Sequence, residues 1–148
     1  MTAPIPERDR PRALCTRFNI VPNDESLFTE ALSAAGYRDS TGHKNLAGVG
    51  DATLLQNTQV EGRERHMSRG AITDMVKQIA GNENLAARGF ELGIDAYILN
   101  NPAHRGDIQD RLMATTMEAI IGAVFLDNGK SLSAVQSIIA AFGLGWPE

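Results

Sequence analysis

The chain has 148 residues, 43% of them hydrophobic and 22% charged, which is enough for one domain with a single sizeable core. Eighteen acids against 14 basic residues give a net charge of −4, so contact with nucleic acid has to use a local basic patch rather than a cationic surface. One cysteine, Cys15, excludes an intramolecular disulfide and a cysteine-built zinc cluster, and 5% aromatic residues argue against a stacking platform for single strands.

In chain order, residues 1–22 read as a flexible, proline-rich arm up to about Arg12 followed by a short helix over Ala13–Phe18. No stretch is apolar enough to span a membrane, and the acids Glu7 and Asp9 among the arginines do not suit a secretory or mitochondrial leader. The expected compartment is the cytoplasm or nucleus, with mitochondria open if a leader has been removed. The domain proper is placed at 23–144. Asn23 or Asp24 caps a helix running to Ala35, closed by Gly36, and the polar residues from Arg38 to His43 form a loop. Apolar residues spaced three to five apart make Lys44–Val60 a helix. Ser68 caps the next helix, and Asn82–Arg88 is a short one ended by Gly89. A long helix covers Asp107–Leu126, and a last one Leu132–Phe142. No segment alternates with period two. The fold class is all-α, with about seven helices and no internal repeat.

Two acids stand out from the pattern alone. Glu118 lies in a run that is otherwise nearly all apolar, so it sits at the rim of the buried face or inside it, and inside it is paired with an arginine such as Arg69 or Arg111 or binds a metal. Asp51 follows Gly48 and Gly50 in mid-helix, where each glycine costs about 1 kcal/mol and close packing is the expected compensation. His43, His66 and His104 show no zinc spacing, no Gly-x-Ser-x-Gly elbow exists, and Cys15 lies in the N-terminal arm, so a covalent nucleophile is not expected. Arg63, Arg65, His66 and Arg69 form the one dense basic cluster, either a solvated surface or a phosphate contact.

Two stretches together resemble the ribonuclease III family. Lys44-Asn-Leu-Ala-Gly-Val-Gly-Asp-Ala-Thr-Leu54 is similar to its signature helix, and Glu118-Ala-Ile-Ile-Gly-Ala-Val-Phe-Leu-Asp127 to its second acidic motif. Met67-Ser-Arg69, Asn84-Leu-Ala86 and Phe90-Glu-Leu-Gly93 fall between them in the family's order, with Ala31-Leu32 and Tyr37 upstream. The similarity runs from about Leu27 to Leu144. It implies an all-α endonuclease domain acting as a homodimer on double-stranded or structured RNA, hydrolysing phosphodiesters with Mg²⁺ or Mn²⁺ held by four acids.

The departures fall on those ligands. Ala47 and Thr115 stand where the family has acids, Lys44 replaces another glutamate, and Gly48 replaces a phenylalanine associated with the dimer contact. Asp51 and Glu118 are therefore the catalytic and metal-ligating acids that remain, Glu64 matches a further acidic position, and Arg63, Arg65 and Arg69 are the RNA-binding candidates. The family's C-terminal double-stranded RNA-binding domain is not expected in this sequence. Losing two carboxylates weakens an oxygen site for Mg²⁺, so endoribonuclease activity is expected to be weak or lost. The alternative is a non-catalytic component of a ribonucleoprotein, such as a mitochondrial ribosome, that keeps the fold for dimerisation, RNA docking or a protein partner.

Overall fold

The computed structural model describes residues 3–104 and 106–148. Seven α-helices make up the described residues: α1 (Arg10–Arg17), α2 (Glu25–Leu32), α3 (Lys44–Glu64), α4 (Arg69–Ala80), α5 (Asn82–Glu91), α6 (Asp110–Asp127) and α7 (Leu132–Ala141). Two short 3₁₀ turns, Glu7–Asp9 and Ile94–Tyr97, accompany them, and the one isolated β-bridge joins Ser33 to Leu99.

α6 is the axis of the domain. Its residues Met113, Met117, Ile120 and Ile121 are fully buried, and it packs against α2, α3, α5 and α7. A helix enclosed on so many sides must be apolar nearly all round, which is the composition its sequence shows. Each such side chain contributes about 1.5–3 kcal/mol of burial. α3 is the longest element, about 30 Å, and forms the most extensive pairing of the fold with α6.

Two glycines set the distance between these helices. A Cβ at Gly50 would overlap the carbonyl oxygen of Glu118, and one at Gly122 would overlap that of Leu46. Backbone therefore meets backbone at the crossing. Gly48 is different: it is exposed, and an added Cβ would meet nothing within 4 Å, so close packing within the chain does not account for it.

The N-terminal region departs from the expected arm. α1 begins at Arg10 rather than Ala13 because Pro11 suits the first helical turn. Pro11, Leu14 and Cys15 are buried, and the Arg10 guanidinium donates to the carbonyls of Ile5 and Ile98. Leu14 and Cys15 belong to the common core, so from Ile5 onward the segment is packed on the domain. Met1 and Thr2 lie outside the described residues.

Other boundaries shift for visible reasons. α2 stops at Leu32 because Ala34 and Leu99 exchange backbone hydrogen bonds with Leu99 and Leu32 at 2.9 and 2.8 Å. α3 runs four residues past Val60, ending at Glu64. Gly89 does not end α5; it lies inside the helix against Met113 and Met117, and Gly93 in the left-handed region (φ 72°) follows the true end. α6 starts at Asp110 rather than Asp107. Ser68 caps α4 as expected, its hydroxyl accepting from Ala71 N at 3.1 Å.

Asp127 closes the architecture. Its buried carboxylate, at the end of α6, accepts from the backbone amides of Asn23 (3.0 and 3.1 Å) and Asp24 (2.7 Å). Asp24 in turn caps α2 through Ser26 N at 3.0 Å. No helix among the described residues is long and apolar enough to cross a membrane.

Candidate functional site: a carboxylate pair at the α3–α6 crossing

Asp51 is the residue after Gly50, and Glu118 is the residue whose carbonyl Gly50 touches. The glycine contact therefore brings the two acids to the same point of the crossing. Their side chains are within hydrogen-bonding reach, Asp51 exposed and Glu118 half-buried. Burial, then the hydrogen bond with Asp51, then its negative charge push the Glu118 carboxyl up from 4.5 to about 8. Glu118 therefore holds its proton well above the usual carboxylate range. Among the described residues neither Arg69 nor Arg111 forms an ion pair with Glu118, and its half-buried carboxyl stands at the rim of the buried face.

The flanking positions hold no replacement acids. Ala47, one turn before Asp51, is 5% exposed and belongs to the apolar core. Thr115, one turn before Glu118, turns its hydroxyl back to the carbonyl of Arg111 at 2.9 Å. That bond occupies its one proton and leaves lone pairs on a neutral oxygen. Lys44 is exposed in the first turn of α3, two turns before Asp51.

Glu64 does not join the pair. It ends α3, thirteen residues beyond Asp51, so the helical rise places it about 20 Å away along the axis. Among the described residues no group of three or more His, Cys, Asp or Glu side chains is arranged to hold a metal.

The basic cluster divides. Arg63 and Arg69 are exposed, with no ion pair among the described residues. Arg65 is engaged: Glu61 Oε2 accepts from its Nη2 at 3.0 Å and from its Nε at 3.2 Å, and its guanidinium lies 6.0 Å from the ring centre of Trp146.

His43 is a further participant that spacing alone passes over. It is 2% exposed beside the first turn of α3, and its Nε2 meets Thr116 Oγ1 of α6 at 2.9 Å. Thr116 donates its own proton to Leu112 O, so Nε2 is the protonated nitrogen and Nδ1 is left without a partner. Burial, with the Lys44 charge beside it, lowers the ring to about 4. His43 is thus a neutral strut between the two helices that carry the acids. Cys15 is buried, and burial with the charges of Glu25 and Asp127 pushes its thiol up to about 11.

Residues 44–129, the span that contains both α3 and α6, match the family model for the Ribonuclease III domain. The chain belongs to the ribonuclease III family. It is 28% identical to Ribonuclease 3 of Oleidesulfovibrio alaskensis over 145 residues, covering 91% of this chain and 61% of that protein. It is 32% identical to Ribonuclease 3 of Pseudomonas paraeruginosa, covering 81% and 54%, and 25% identical to Dicer-like protein 2 of Coccidioides immitis, covering 72% and 9%. The chain therefore spans between half and two thirds of the bacterial relatives and a small part of the fungal one. The ribonuclease III nuclease domain of Campylobacter jejuni superposes with a TM-score of 0.77 at 20% identity, covering 87% of this chain and 92% of that one, and shares the fold.

Within this ribonuclease III domain the acids reduce to a pair. Two carboxylates and a neutral hydroxyl do not fit a two-metal centre, because Mg²⁺ is held by charge and oxygen donors and half of the charge is missing. They fit at most one cation with a mostly aqueous shell.

Proposed function

We propose that this ribonuclease III domain engages double-stranded or structured RNA as a homodimer in RNA processing, with metal-dependent endoribonuclease activity weak or lost. The observation that carries this reading is the composition of the α3–α6 crossing: Asp51 and Glu118 together, flanked by Ala47 in the core and Thr115 bonded to its own helix.

Asp51 and Glu118 would hold a single Mg²⁺ or Mn²⁺, which would supply neutralising charge and an acidified water. A cation there must displace the proton that Glu118 keeps at pH 7, so binding is weak and strengthens as pH rises. Arg63 and Arg69 are the cations free to meet phosphates, whereas Arg65 is held by Glu61. The exposed stretch of α3 that carries Gly48, Ala52, Leu55 and Gln59 supports the homodimer, and the Campylobacter jejuni domain is described in terms of a region involved in dimer formation.

A second reading is a non-catalytic component of a ribonucleoprotein, favoured by the bond that ties the Thr115 hydroxyl to the Arg111 carbonyl of its own helix. One experiment separates the two. A labelled RNA duplex is incubated with the chain in EDTA, Mg²⁺ or Mn²⁺, beside the Asp51→Asn and Glu118→Gln variants. Slow, metal-dependent cutting lost in both variants supports residual catalysis. Salt-sensitive binding without cutting supports the RNA-docking form of the second reading, whereas no binding at all overturns the first reading and points to a protein partner.

A further inference from the structure

A concavity lies away from the acid pair, where the C-terminal ends of α3 and α7 meet residues 145–148. It is an open groove of about 650 Å³. Val60 and Ala140 face solvent along it, Val60 at 40% exposure, with Ile139 and Trp146 buried beneath. Trp146 is fixed there: its Nε1 donates to Thr58 O at 2.8 Å, and it packs over Gly62, where a Cβ would sit 2.7 Å from the ring. The floor is therefore preformed.

The charge around this floor is one-sided. Glu64 and Glu148 line the groove and form no ion pair among the described residues. Arg65 is the one cation in the lining and is neutralised by Glu61 at 3.0 Å. Arg88, beside Gly143, is likewise matched by Glu91. The last turns of α3 and α7 both end here, so two helix C-termini add partial negative charge. Phosphates are repelled from such a groove and cationic side chains are drawn to it.

We propose that this groove docks a short basic segment of a partner protein, with an aliphatic side chain seated on Val60 and Ala140 and flanking arginine or lysine heads at Glu64 and Glu148. Arginine suits the site best because its planar fork matches a carboxylate with two hydrogen bonds. Arg63 and Arg69 do not line this groove, so a protein segment in it would leave both open to RNA.

The probe is a short labelled peptide alternating arginine and leucine, with a glutamate–leucine peptide as its charge-inverted counterpart. Fluorescence polarisation reads binding, and Trp146, the chain's one tryptophan, gives an independent intrinsic signal. Saturable binding of the basic peptide alone is expected, weakening as salt rises and falling about tenfold in Glu64→Gln/Glu148→Gln. Ala140→Trp, at an exposed position, fills the groove and abolishes binding while circular dichroism shows an unchanged fold. Equal binding of both peptides, binding indifferent to these variants, no saturation by the basic peptide up to millimolar concentration, or displacement of the peptide by an RNA duplex each overturns the proposal.

Discussion

The α-carbon of Gly50 lies against the carbonyl oxygen of Glu118, so closely that no side chain fits between α3 and α6. That contact sets the helix spacing, and because Asp51 is the next residue it also sets the distance between the two acids. Gly50→Ala is expected to destabilise the domain by about 3 kcal/mol, the upper range for overpacking, since the obstacle is backbone that cannot rotate away. Gly48→Ala is expected to do the opposite and stabilise by up to about 1 kcal/mol, because its site is open and alanine is the better helix former. Thermal melts of the pair check this contrast. Loss of a dimer in Gly48→Ala, measured by sedimentation, would place Gly48 in a contact between copies.

Glu118 and His43 give stability a two-sided pH dependence. Glu118 releases its proton near pH 4.5 when unfolded and near 8 when folded, so the stability it contributes is full below pH 4.5 and is lost as pH rises to about 8. His43 takes up a proton near 6.5 when unfolded and near 4 when folded, so its share is full above pH 6.5 and is lost as pH falls to about 4, up to about 3 kcal/mol. The maximum therefore falls between these limits, near pH 5–6. Urea denaturation from pH 4 to 9 measures it. Glu118→Gln should flatten the alkaline limb alone and His43→Gln the acid limb alone; unchanged limbs would refute the assignment.

Restoring charge at the crossing should restore metal binding. Ala47→Glu with Thr115→Asp places two further carboxylates one turn from Asp51 and Glu118, the helical spacing that aims side chains at one point. Calorimetry is expected to show Mn²⁺ binding strengthened at least about tenfold, with metal-dependent cutting of an RNA duplex above the starting level. No gain in affinity would mean that the crossing cannot accept a second pair of acids. The double variant is also expected to melt lower without metal, since Ala47 is in the core.

Asp127→Ala removes the acceptor for two backbone amides at the start of α2, leaving them unpaired near the core. The cost is about 3 kcal/mol. Hydrogen exchange at Asn23 and Asp24 should accelerate before that of α6, because the carboxylate ties the end of one helix to the entry of the other.

The helical periodicity of α3, α4, α6 and α7 was legible because each carries an apolar pattern that only a helix can bury, and Ser68 announced its cap by type and position. Asp51 and Glu118 were legible as the acids retained in two ordered motifs. Gly89 was misread as a terminator, since a glycine's permissiveness and its smallness look alike in one dimension; here smallness against Met113 decided its place. The N-terminal segment was misread because proline suits both an extended arm and a first helical turn.

Local sequence thus determined the all-α class and singled out the two acids, and the family resemblance marked Ala47 and Thr115 as positions where acids are expected. Tertiary structure alone decided that Glu118 meets Asp51 rather than an arginine, that α3 runs on to carry Glu64 about 20 Å along its axis from Asp51, and that Arg65 is spent on Glu61. The reason is physical: periodicity states which face a helix buries, whereas the crossing of two helices, set here by Gly50 and Gly122, states which residues on those faces come together.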